Sequence, residues 1–114
     1  MKRLAAVLAI VAFGAGAAFA DTMQNAAANT IVVTPPSGGA VRYHFNSDGS
    51  FAAALPDGSA FNGAWDVSGD QICLTPTGGE RACAPYVGDK NVGDTWTQTG
   101  TDGTTISVTI EAGR

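Results

Sequence analysis

The chain of 114 residues has one histidine, two cysteines and six basic side chains, and each shortage removes a class of function. A zinc site takes three or four His, Cys, Asp or Glu ligands, and His44 with two paired cysteines does not supply them. No Asp-x-[Asp/Asn]-x-[Asp/Asn]-Gly run forms a calcium loop, so neither a metal nor a cofactor is expected. Cys-x-x-Cys is missing, which argues against a redox role. Gly-x-Ser-x-Gly is missing as well, and with it the esterase elbow. The carboxylates Asp66, Asp70, Glu80 and Asp94 are the ones that could serve glycosidic chemistry, if the fold gathered them at one end. A domain this small offers little cleft, and His44, between Arg42 and Asn46, reads as surface. No catalysis is expected.

What is present begins with a leader. Met1-Lys2-Arg3 is a basic start, Leu4–Phe19 is an uncharged Ala-rich run, and Ala18-Phe19-Ala20 is a small-x-small cleavage site ahead of Asp21. This pattern reads as a signal peptide over residues 1–20; the rival is an uncleaved anchor, since about 17 apolar residues just span a bilayer. Export places the protein in the periplasm or outside the cell. After Ala20 no apolar run is long enough for a membrane span. Cleavage leaves four basic side chains against ten carboxylates, a net charge of −6. So acidic a chain, with its cations scattered, has no footprint for nucleic acid or anionic lipid. Residues 21–29 have no strand pattern and read as a flexible tail or a short helical turn.

Residues 30–114 read as one β-barrel-like domain. Turn signals recur at Ser37-Gly38-Gly39, Asp48-Gly49, Asp57-Gly58, Gly69-Asp70, Gly78-Gly79, Gly88-Asp89 and Asp102-Gly103. They divide the chain into eight short strands, the spacing of an all-β antiparallel meander in an up-and-down barrel or a barrel-like sandwich.

The stretch Phe61–Cys83 anchors the register. Phe61, Gly63, Trp65 and Val67 alternate with polar or small residues, the period of a half-buried strand. Gly69 suits the first position of a type II′ turn, which sets Val67 opposite Ile72, Trp65 opposite Leu74 and Asp66 opposite Cys73. The Thr77-Gly78-Gly79 loop sets Cys73 opposite Cys83, and two cysteines facing each other across a hairpin of an exported chain form a disulfide. Closing that loop contributes about 2.7 kcal/mol in the chain-entropy model. Asp48-Gly49 sets Phe45 against Phe51, Asp57-Gly58 sets Ala53 against Phe61, and Asp102-Gly103 sets Trp96 against Val108.

Because four three-residue loops and one two-residue loop all keep phase, one apolar inner face results. It carries Ile31, Val33, Val41, Tyr43, Phe45, Phe51, Leu55, Phe61, Trp65, Val67, Ile72, Leu74, Trp96, Ile106, Val108 and Ile110. Trp65, Phe45, Phe51, Phe61, Ile72 and Leu74 are its expected structural centre. Trp96 is placed either in that core or on a ligand at a barrel mouth. On the outer face, Ala52, Ala54, Ala60, Asn62 and Ala64 form a flat patch without long charged side chains. It is a candidate contact surface, for the Met23–Ala28 segment folding back or for a partner protein.

Gly63-x-Trp65 followed by Cys73 and Cys83 resembles a Gly-x-Trp…Cys…Cys pattern of small uncharacterised exported proteins of Gram-negative bacteria, over about residues 43–86. In size, Gly-x-Trp strand and single disulfide the chain is also similar to small barrel-type periplasmic inhibitors of proteases and lysozymes. The cysteine spacing is tighter than in those inhibitors, and no inhibitory segment carries over residue by residue. The resemblance implies a small exported barrel. The sequence as a whole predicts a monomeric, non-catalytic binding protein for a periplasmic or extracellular protein or small ligand, an inhibitor-like role included. The alternative is a structural or envelope-associated domain with no dedicated ligand. A cavity between Trp65 and Trp96 would favour the ligand.

Overall fold

The computed structural model describes residues 21–114, and the leader expected over residues 1–20 lies outside them. Helix α1 (Thr22–Ala26) is followed by β1 (Thr30–Thr34), β2 (Val41–Phe45), β3 (Ser50–Ala54) and β4 (Ala60–Ser68). Then come β5 (Gln71–Pro76), β6 (Ala82–Pro85), β7 (Thr95–Thr99) and β8 (Thr105–Glu111). Antiparallel pairing runs β6-β5-β4-β3-β2-β1-β8-β7, so β8 returns to β1 and the meander curls into an up-and-down barrel. One seam is left, between β6 and β7.

Short polar loops set the registers. Phe45 faces Phe51, Ala53 faces Phe61, Trp65 faces Leu74, Cys73 faces Cys83 and Trp96 faces Val108, all as the turn residues predict. Three loops share an Asp-Gly-Ser/Thr sequence. In each, the aspartate accepts from the amide and the hydroxyl two residues on: Asp48 from Ser50, Asp57 from Ser59 and Asp102 from Thr104, at 2.6–3.0 Å. The glycine between takes the positive φ that closes the loop, +90° at Gly49 and +89° at Gly58. Cys73 and Cys83 are disulfide-bonded, pinning the edge strand β6 to β5.

The Gly88-Asp89 turn signal does not make a hairpin. Residues 86–94 run as an irregular connection whose backbone bonds to α1 rather than pairing β6 with β7. Thr22 Oγ1 donates to Val87 O (2.5 Å) and accepts from Lys90 N (3.0 Å), while Asn25 Nδ2 donates to Lys90 O (2.7 Å). Of the two readings for residues 21–29, the structure has the helical turn. Asp21 caps it by accepting from the amides of Met23 and Gln24. Met23 and Ala26 are buried against Ile31, Phe45 and Ile110, closing one end of the barrel. The segment therefore does not fold over the outer alanine patch.

Phe45, Phe51, Ala53, Val108 and Ile110 form the centre of the core. Trp65, Ile72 and Leu74 are half-buried beside it. Phe61 and Val67 correct the expected inner face, being 36% and 38% exposed. The reason is the length of β4. It pairs with β3 only over residues 60–64 and with β5 only over residues 63–68, so each of its ends has a neighbour on one side alone. Phe61 still lays its ring edge-on against Phe51 and Tyr43.

Candidate functional site

Five rings, Tyr43, Phe45, Phe51, Phe61 and Trp65, cluster on β2–β4 with centroids 5.3–6.3 Å apart. The facing wall carries smaller side chains, among them Val33, Ala84, Ile106 and Val108. An eight-stranded barrel is just wide enough for side chains to fill it or for one small ligand to sit inside. Here the uneven distribution of bulk leaves a cavity of about 260 Å³.

Its floor is α1 and the residues after β6, through Met23, Tyr86 and Val87. Its walls are Ile31, Val33, Val41, Tyr43, Ile72, Leu74, Ala84, Trp96, Ile106 and Val108. Its mouth lies at the opposite end, among Pro35, Gly100, Asp102 and Thr104. Trp96 lines the cavity; Trp65 does not. Trp65 Nε1 instead donates to Asn46 O (2.9 Å) and its ring stands edge-on to Phe45, a structural role at the β2–β3 turn.

Polar groups are few and individually placed. Trp96 Nε1 donates to Gln98 Oε1 (2.7 Å), and Gln98 Nε2 donates across the open seam to Pro85 O (3.1 Å). This side-chain bridge stands where a backbone ladder would otherwise close the barrel. Lys90 sets its ammonium 5.6 Å from the centroid of the Trp96 ring. Tyr43 lines the wall, its hydroxyl has no hydrogen-bond partner among the described residues, and burial raises its pKa, so it remains a neutral donor. On the floor, Tyr86 OH donates to Asp21 Oδ1 (2.9 Å). Burial first, then the charge and hydrogen bond of Asp21, push its pKa up to about 12.

The other sequence candidates are dispersed. Ala52, Ala54, Ala60, Asn62 and Ala64 are exposed side by side on the outer face of β3 and β4. A shallow groove beside them is lined by Arg42, His44 and Glu111, where Arg42 and Glu111 form an ion pair. Asp66 pairs with Arg81 (3.0 Å), while Asp70 sits in the β4–β5 turn and Glu80 in the loop between β5 and β6, at opposite ends. No group of three or more His, Cys, Asp or Glu among the described residues is placed to hold a metal ion, and no helix there is long and apolar enough to cross a membrane. Set against family models, curated proteins and solved structures, the chain matches none.

Sequence reasoning marked Trp96 but missed the remaining site. Tyr43, Leu74 and Ile106 have inner-face positions that read as core, because alternation reports facing and not how full the interior is. Asp102 was legible only as a turn residue. The floor had a faint signal, an Asp cap followed by Met23 and Ala26 three apart, too short to establish a helical period.

Proposed function

We propose that this chain is an exported, non-catalytic binding protein whose barrel takes one small, largely apolar ligand. The observation that carries the reading is the cavity, open at one end, floored at the other and lined by Trp96, Tyr43 and aliphatic side chains. A dry cavity of about 150 Å³ holds a six-carbon ring, so this one suits roughly ten heavy atoms. Affinity for so small a ligand is expected at a Kd of about 0.1–1 mM. Titration of the purified protein with 2-phenylethanol tests it, read by Trp96 fluorescence and by calorimetry. Saturable one-site binding is expected, weakened in Ala84→Leu, which takes up part of the space while the far-ultraviolet dichroism stays native. Absence of saturation up to the solubility limit would refute the reading.

A second reading has its own observation: the exposed alanine face, flat enough for a partner protein to approach closely. It is the surface an inhibitor-like or envelope-associated domain would use. Ala54→Glu with Ala64→Glu leaves the cavity untouched and abolishes partner capture if that face is the contact.

A further inference from the structure

We propose that the cavity selects by charge, admitting ring-bearing amines and neutral alcohols and rejecting carboxylates of the same size, and that Asp102 at its mouth sets the preference. This rests on the ligand-binding reading above and adds the chemical class. Among the described residues, Asp102 is the one formally charged side chain in the cavity lining. Its Oδ1 accepts from the Thr104 amide (3.0 Å) and hydroxyl (2.7 Å), fixing the carboxylate in the β7–β8 loop beside the opening. Those two bonds also hold its pKa below the ordinary carboxylate range, so it is ionised wherever the protein is folded near neutral pH. Among the described residues no cation offsets it within the cavity. Lys90 lies against the Trp96 ring without lining the space, and Asp21 is engaged by Tyr86 at the far end. A ligand whose ring enters toward Trp96 must leave its polar end near the mouth, because the floor is apolar at Met23 and Val87 and its two hydroxyls, on Thr22 and Tyr86, are already engaged by Val87 O and Asp21. That end then meets a carboxylate in a protein already carrying excess negative charge, so an anion is repelled and an ammonium attracted. Tyr43, with its free hydroxyl on the wall, serves an alcohol or an amine equally, since a phenol both donates and accepts.

The test compares three probes of one shape, 2-phenylethylamine, 2-phenylethanol and phenylacetate, by calorimetry at pH 7 and low salt. The amine is expected to bind roughly tenfold tighter than the acid, with the alcohol between them. Raising the salt should narrow the spread. In Asp102→Asn the amide oxygen still accepts from Thr104, so the loop is kept, and the amine-to-acid ratio should fall to within about threefold. Equal affinities for amine and acid, with the alcohol binding normally, would overturn the charge selection and leave the cavity reading standing. A ratio unchanged in Asp102→Asn would overturn the assignment to Asp102. If none of the three binds, the cavity reading fails and this inference fails with it.

Discussion

At Gly63 the chain tolerates no side chain. A Cβ there would lie 2.3 Å from Thr75 O, 2.8 Å from Pro76 Cα and 2.9 Å from a ring carbon of Phe51. Two of those three are backbone atoms and do not swing aside, so Gly63→Ala should cost about 1–3 kcal/mol, the usual penalty of overpacking. In a domain of this size each kcal/mol lowers Tm by roughly 4–8 °C. A thermal melt followed by circular dichroism checks it, and an unchanged Tm would mean the strands do not close over Phe51 as described. The aspartates Asp48, Asp57 and Asp102 make a second residue-level prediction. Hydrogen bonds to Ser50, Ser59 and Thr104 lower their folded pKa values below the unfolded value of about 3.9. Their contribution is complete above that unfolded value and lost as pH falls through the lower folded ones. Stability should therefore decline as pH falls below about 4, and less steeply when all three are asparagine.

Helix α1 is held by side chains and not by its own length, since five residues do not sustain a helix in water. Tyr86 OH bonds the Asp21 cap, and Arg114 reaches Asn29 O (2.9 Å), Asn46 Oδ1 (2.8 Å) and Ala26 O (3.2 Å). Folding raises the Tyr86 pKa from about 10 to about 12. Its share of stability is thus full below pH 10 and is lost as pH rises toward 12. Amide exchange of Met23 and Asn25 should quicken at neutral pH in Tyr86→Phe, with the core strands protected as before. Equal protection in that variant would show that α1 docks without the phenol. The β5–β6 hairpin is a separate element. Reducing Cys73–Cys83 releases the four-residue edge strand beside the seam and should lower stability by about 2.7 kcal/mol, measured by urea unfolding with and without reductant.

For the whole molecule, the meander and its pairings were legible because turn chemistry and alternation are local. Asp-Gly-Ser at residues 48–50 and 57–59 fixes a loop, and the loop fixes the pairing of everything beside it. What stayed hidden depends on residues far apart in the chain. The seam between β6 and β7, diversion of residues 86–94 onto α1, and exposure of Phe61 at an end of β4 all follow from how eight strands close on one another. The cavity belongs to this second kind. It exists because five rings gather on β2–β4 while the opposing wall, Trp96 apart, carries small and aliphatic side chains, an imbalance of volume that no single strand displays. The most direct test of that account is a crystal structure of the protein soaked with 2-phenylethanol. The account predicts one molecule inside the barrel, its ring between Trp96, Leu74 and Val108 and its hydroxyl toward the mouth. A barrel interior with no bound molecule, under conditions that saturate the crystal, would contradict it.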